Sequence, residues 1–500
     1  MNSKPALFVS AFFGSALLLW PAIGHSEVTL DGSLSDNFFV QAGDPVQPGS
    51  GFTYDITADL GQRSGQNLFH SFAKFNIDLG QQANFSGPSG INNIVSRITG
   101  GESSIAGKVT SNISGASLWL VNPAGFILTN GALSTSRISS FGFIDGGKGI
   151  IAIDSSRATP GEDKSSSHNL NVNSDFISIR NSDLQAKEIG IRMGDATFGN
   201  IDIGTSLLES VEGGIFFQGG NIYAVDSLIT ASGLSSTVQV RANSLTLEGL
   251  NSASAIRSGE LGASGGDLDI VAKDIVLKNN AVLTTSSGGG REGGDILLGA
   301  ETIQVTGNSQ IALFAGTGSR AGDININTTD ILIQNSSSLN SSSKFQGATA
   351  GSIAINATGR FGIESGSTLL AESDNAGIGG SVSVTAGNIL IQDGATIDVQ
   401  ARGAGSADTV DLKALTSLTM RNGANINASS GAGGNGGTVL LRAPTVTLDD
   451  VDIIGEANGL GDGGDILIDG SVVSIINGST ISVSSVSTAV DGGDAGLVNI

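Results

Sequence analysis

The chain has 500 residues, with 74 glycines, 8 prolines, no cysteine and a formal net charge of −22 at pH 7. Abundant glycine with little proline excludes collagen and Pro-rich linkers, and a surface this acidic repels phosphate, which excludes nucleic acid and anionic lipid as partners. Aromatic residues make up 5%, while Val, Ile, Leu, Ser, Thr and Asn dominate, a β composition with many tight turns.

Residues 1–26 read as a signal peptide. Lys4 gives a positive start, and the apolar run from Ala6 to Trp20 falls short of the ~20 residues a spanning helix needs. Pro21 breaks the run, and Gly24-His25-Ser26 places cleavage before Glu27. No later segment is apolar enough to span a bilayer as a helix. An exported chain without cysteine is held by burial and backbone pairing alone, and no cross-link obstructs passage through a pore.

Residues 28–145, inside an N-terminal unit placed at 27–155, are the least repetitive part. "DITADLGQRSGQNLFHSFAKFNIDLGQQANFSG" (Asp55–Gly87) gathers Leu68, Phe69, Phe72, Phe75, Ile77 and Phe85. These residues are expected to plug the open N-terminal end of a repetitive fold. Further on, "SLWLVNPAGFILTNGALSTS" sets Asn122-Pro123-Ala124-Gly125 between two apolar runs. Asn bonding its own backbone ahead, Pro presetting φ and Gly in fourth place predict a type I turn between two strands. The polar stretch "SSRATPGEDKSSSHNLN" marks a loop or boundary, placed at 156–174, and 175–264 reads as irregular coils.

From 265 to 500 the chain repeats. "GGDLDI" at Gly265 returns in kindred form at Gly293, Ala321, Ala350, Gly379, Ala407, Gly436 and Gly463, 27 to 29 residues apart. A second landmark keeps the same beat: Leu283, Ile311, Leu339, Leu369, Ile397, Ile426, Ile453 and Ile481, each behind a polar turn such as "QDGAT" or "RNGAN". Within a repeat the apolar period is two, in three short segments. Three strands per repeat of about 28 residues predict a coil of a right-handed parallel β-helix, an all-β solenoid whose equivalent residues stack in ladders. A propeller blade needs about 40 residues, and a sandwich has no fixed period. The sequence breaks off at Ile500 inside a repeat, where a β-helix is expected to carry a cap unless it continues.

Three motifs in order, "GQNLFHSFAKFNI", "INNIVSRITGG" and "LWLVNPAGFILTNGAL", resemble the secretion domain of filamentous-haemagglutinin-type exoproteins of bacterial two-partner secretion. The family signature is Asn-Pro-Asn-Gly-Ile; here Ala124 and Phe126 depart from it. The resemblance implies a β-helical N-terminal domain with an aromatic cap. It also implies export across the inner membrane and recognition by the periplasmic domains of a dedicated outer-membrane β-barrel transporter. Partner-binding positions implied by it are Asn67, Phe69, Asn122, Pro123, Ala124, Gly125 and Phe126. A secreted or surface-associated, adhesin-like monomeric rod follows, with a host-cell or surface glycan as target class and without enzymatic activity, cofactor or metal.

Catalytic material is scarce: the histidines are His25, His70 and His168. Asp267, Asp295 and Asp323 occupy one column of consecutive repeats, with Asp465 returning to it, and are expected to be solvated turn residues. A carboxylate groove for polysaccharide cleavage is the enzymatic alternative. A truncated relative of contact-dependent toxin-delivery proteins is a further one.

Overall fold

The computed structural model of the chain describes residues 27–34, 41–49, 51–129, 138–144, 150–154, 157–158, 169–173, 176–180, 183–186, 188–192, 200–210, 213–233, 236–259, 265–287, 292–314, 319–344, 348–374, 376–486 and 492–500. The expected signal peptide lies outside them. The described residues form a parallel β-helix: strands stack coil upon coil, with one 3-10 turn at Ala58–Leu60. No helix among them is long and apolar enough to cross a membrane.

Both sequence landmarks are physical ladders. Leu268 pairs with Ile296, and the column continues through Ile324, Ile353, Val382, Val410, Val439 and Ile466 to Val498. Leu283 pairs with Ile311, and that column runs through Leu339, Leu369, Ile397, Ile426 and Ile453 to Ile481. Apart from the last residue of each column, their members are buried and stack on their own kind inside the coil. One isolated coil has nothing to cover that face; a neighbouring coil supplies the cover.

The coil differs from expectation in one respect. The first two of its three segments are not separated by a turn; they run on as one strand, as in Leu268–Lys278 and Ile296–Thr306. The third follows as Val282–Ser286 and Gln310–Phe314. Ile270 and Ile275 are both buried although an even number of residues lies between them, which in a straight strand puts them on opposite faces, so the strand changes face midway and turns a corner without leaving extended structure.

Two backbone demands explain the recurrent small and polar residues. Before the third segment two successive residues take left-handed φ: Asn279 and Asn280 at 56° and 66°, Asp393 and Gly394 at 57° and 74°, Asn422 and Gly423 at 56° and 73°. Asn, Asp and Gly tolerate that region best. The Gly-Gly motif answers to contact instead. A Cβ on Gly294, Gly322, Gly351 or Gly380 would lie 1.8–2.2 Å from the carbonyl oxygen of the equivalent glycine one coil earlier.

A polar column inside the corner was not visible in the sequence pattern. Ser309, Ser337 and Ser367 are fully buried. The N–H groups of Ala281, Ser309 and Ser337 donate to the Oγ of the serine one coil later, at 3.1, 3.2 and 3.2 Å. Each hydroxyl thus satisfies a backbone donor that the corner would leave unpaired.

At the N-terminal end Asn67–Asn76 opens the parallel ladder by pairing with Asn93–Ile98. Its outer edge is closed by two antiparallel strands, Glu27–Leu30 against 72–76 and Gln62–Ser64 against 67–69. The aromatic residues fill the first coil beneath that cover: Phe72 and Phe75 have centroids 5.2 Å apart, and Phe75 and Phe85 6.3 Å. Phe69 departs from the expected cluster. It alternates outward between the buried Leu68 and His70, and is half-exposed.

The ladder passes through the stretch expected as a boundary. Ile138–Ile144 pairs with Asn169–Asn173, Ile150–Asp154 with Phe176–Arg180, and Arg157–Ala158 with 183–184. The rest of that stretch lies outside the described residues.

Candidate functional site

Ala116–Val121 stacks between Asn93–Ile98 and Ile138–Ile144, and Gly125–Thr129 stacks between Ser103–Ile105 and Ile150–Asp154. The Asn122–Gly125 turn therefore joins two faces of one coil. The Gly125 N–H donates to the Asn122 carbonyl at 2.9 Å, and the Ala124 N–H to Asn122 Oδ1 at 2.9 Å. These are the bonds expected of Asn and Gly in these places. The structure adds what local pattern does not contain: Asn122 is fully buried, and its Nδ2 donates to Ser103 Oγ at 2.9 Å and to Gly101 O at 3.1 Å. Asn carries both an acceptor and two donors, so it ties its own turn to the preceding coil; Asp would lack the donors. The partners lie 21 and 19 residues earlier, beyond any local signal. Phe126 is buried, whereas Pro123 and Ala124 are exposed.

Asn67 and Phe69 lie on Asn67–Asn76, two coils before Ala116–Val121, an axial offset of roughly 10 Å at the strand spacing of ~4.8 Å, and in register with Ser117 and Trp119, which precede the turn along the strand. Asn67 is in register with Asn93, whose Nδ2 donates to Asn67 Oδ1 at 2.8 Å, and Asn93 with Ser117. Phe69 is in register with Val95, and Val95 with Trp119. All three are half-exposed on the outer face, because Leu68, Ile94 and Leu118 beside them fill the interior. Next along, Arg97 donates to Ser71 Oγ and Ser33 Oγ and lies 3.6 Å from Asp31. Burial works to raise the Asp31 carboxyl, but hydrogen bonds from Ser71, Ser33 and Thr99 outweigh it and hold it below its ordinary range.

His70 is sealed in the first coil, with Nε2 3.2 Å from Thr57 O. Burial pushes its pKa down to about 4, against the Thr57 bond and the charge of Asp59. It is a neutral core imidazole packed against the Phe72 and Phe85 rings. His25 and His168 lie outside the described residues.

The aspartate column has a backbone role beyond the solvated turn expected of it. Asp267 Oδ1 accepts the Asp295 N–H at 2.9 Å, Asp295 Oδ1 the Asp323 N–H at 2.7 Å, and Asp323 Oδ1 the Ser352 N–H at 2.7 Å. The Glu372 carboxyl is raised to about 7 by burial and by Asp398 and Asp374, against the pull of Arg402. Arg402 binds Glu372 Oε1 at 2.8 Å and Asp374 Oδ1 at 3.0 Å. Among the described residues no group of three or more His, Cys, Asp or Glu side chains could hold a metal ion.

This architecture, an N-terminally capped parallel β-helix with a tied turn in its first coils, defines the class of repetitive β-solenoid proteins. Residues 41–138 match the TPS secretion domain. The crystal structure of the HMW1 secretion domain from Haemophilus influenzae is similar at 14% identity and a TM-score of 0.26, over 85% of this chain and 96% of that one. No curated protein matches the chain. The chain carries, at its N-terminal end, the secretion domain found in exoproteins of two-partner secretion. It leaves through a partner outer-membrane transporter, for the cell surface or the surrounding medium.

Proposed function

We propose that the protein is an adhesin-like exoprotein without enzymatic activity. Residues 27–155 form the unit the transporter reads, 175–264 a transitional set of coils, and 265–500 a monomeric rod that presents outer surface to a host-cell or surface glycan. The match of residues 41–138 to the secretion domain carries this reading. The stalk supports the rod role: its Asp column is engaged by backbone N–H groups, and its ladders repeat without an inserted domain among the described residues. Within the recognised unit, Pro123 and Ala124 are the contact residues of the turn. Asn122, Gly125 and Phe126 hold them in place, and Asn67 and Phe69 extend the same surface.

The test is secretion in a Gram-negative host with and without the outer-membrane partner, blotting cells and medium. Partner-dependent release is expected, with less release for Asn122→Ala. Release without any partner overturns the transport reading. Cleavage of a polysaccharide panel by the purified chain overturns the non-enzymatic one.

A further inference from the structure

A single outward-facing column runs the length of the first face, coil by coil. In the regular stalk it reads Asp269, Leu297, Asn325, Ala354, Ser383, Asp411, Leu440, Leu467 and Asn499, so large apolar side chains stand there singly or as one pair. In the secretion domain the same column begins Phe69, Val95, Trp119, three large apolar residues in succession. Nowhere else among the described residues does this column hold three in a row. Core packing does not explain them, since Leu68, Ile94 and Leu118 already occupy the interior.

We propose that the Phe69–Val95–Trp119 ladder is the surface on which the periplasmic part of the partner transporter docks. The proposal deepens the reading above and rests on the secretion domain being the unit the transporter recognises. Three observations choose this occupant. The ladder lies wholly inside the matched residues 41–138 and is not continued into the stalk. Its surroundings have the anatomy of a protein interface: aromatic anchors at the centre, a rim of Asn67, Asn93 and Ser117 on one side, and Arg97 on the other. Arg97 is held in place by Ser71 and Ser33, so little freedom is lost on binding. Finally, Trp119 lies on the strand that leads directly into the exposed Pro123 and Ala124, so turn and ladder make one continuous face. Val95 and Trp119 thereby join the contact set as side chains that touch the partner, while Asn122 acts from inside.

The chain has 2 tryptophans, Trp20 in the leader and Trp119 in the ladder. The full chain carrying Trp20→Phe therefore reports on Trp119 alone. Titration with detergent-solubilised outer-membrane partner transporter is expected to shift its emission to the blue and cut acrylamide quenching about threefold. Val95→Asn and Trp119→Ser, each checked for an unchanged protease-resistant core, are expected to weaken binding about tenfold or more, as truncated interface anchors do. Undiminished binding by both folded variants overturns the ladder proposal and leaves transporter recognition standing. Emission already blue and unquenchable in the free protein also overturns it, since the ladder is then covered. No binding by the unaltered chain overturns the recognition reading and the proposal together.

Discussion

The first coils and the regular stalk use one ladder geometry for different ends. In the stalk, coils are nearly interchangeable: each interior column repeats one kind of residue, and its recurrent backbone demands are met by a neighbour one coil away. In residues 27–129 almost every contact is singular. Two antiparallel strands close the edge, a cluster of aromatic rings packs beside the stacked aliphatics, and a buried Asn ties one turn to the coil before it. A repeated solution tolerates local loss because its neighbours are copies; a singular one has no substitute.

Steric change tests this most severely. Gly380→Val puts atoms 1.8 Å from the Gly351 carbonyl oxygen, and we expect a loss of about 3 kcal/mol or more, confined in hydrogen exchange to adjoining coils. Gly394→Ala, at φ 74° with open space around it, should cost only about 1 kcal/mol. In the first coils, Asn122→Ala orphans partners at Ser103, Gly101 and Ala124 and should cost roughly 2 kcal/mol, seen as a lower denaturation midpoint. Its exposed stalk counterpart Asn422→Ala loses a 2.8 Å bond to Asp393 and sets Ala at φ 56°, and should cost about 1 kcal/mol, from backbone strain more than from the lost bond.

The two regions should also respond oppositely to pH. His70 has its folded pKa lowered from 6.5 to about 4, so its contribution is complete above pH 6.5 and is lost as pH falls through about 4. Glu372 has its folded pKa raised from 4.5 to about 7, so its contribution is complete below pH 4.5 and is lost as pH rises through about 7. Hydrogen-exchange protection should therefore weaken in acid around 67–76 and toward neutrality around 368–372. His70→Phe and Glu372→Gln should each flatten the slope of their own region and leave the other unchanged. The smallest effect belongs to the Lys74–Glu27 pair, with side chains 55% and 43% exposed, where Lys74→Ala should cost about 0.3 kcal/mol and less in salt.

The stalk was legible in the sequence because its physics is periodic. Ile311 and Leu339 stand at equal spacing for the same reason they stack: one coil of backbone returns each residue to the same place. The turn at Asn122–Gly125 was legible too, because its governing bonds span two or three residues. What escaped was whatever joins distant positions without repetition. The bond from Asn122 to Ser103, the antiparallel cover over Asn67–Asn76 and the outward turn of Phe69 depend on register between unlike segments, which spacing does not encode. The corner inside Leu268–Lys278 escaped for another reason: alternation reports which side is buried and is silent on where the strand bends. The serine column escaped because serine reads as a loop residue until the coil closes around it.

The aspartate ladder has a direction. In each pair the acceptor carboxylate belongs to the earlier coil and the donor N–H to the later one, as from Asp267 to Asp295 and from Asp295 to Asp323. The serine column runs the other way, its hydroxyls on the later coil accepting from the N–H groups of the earlier one. The two ladders together give each coil a side-chain tie of opposite sense to its neighbour, so the stack is fastened in both directions along its axis.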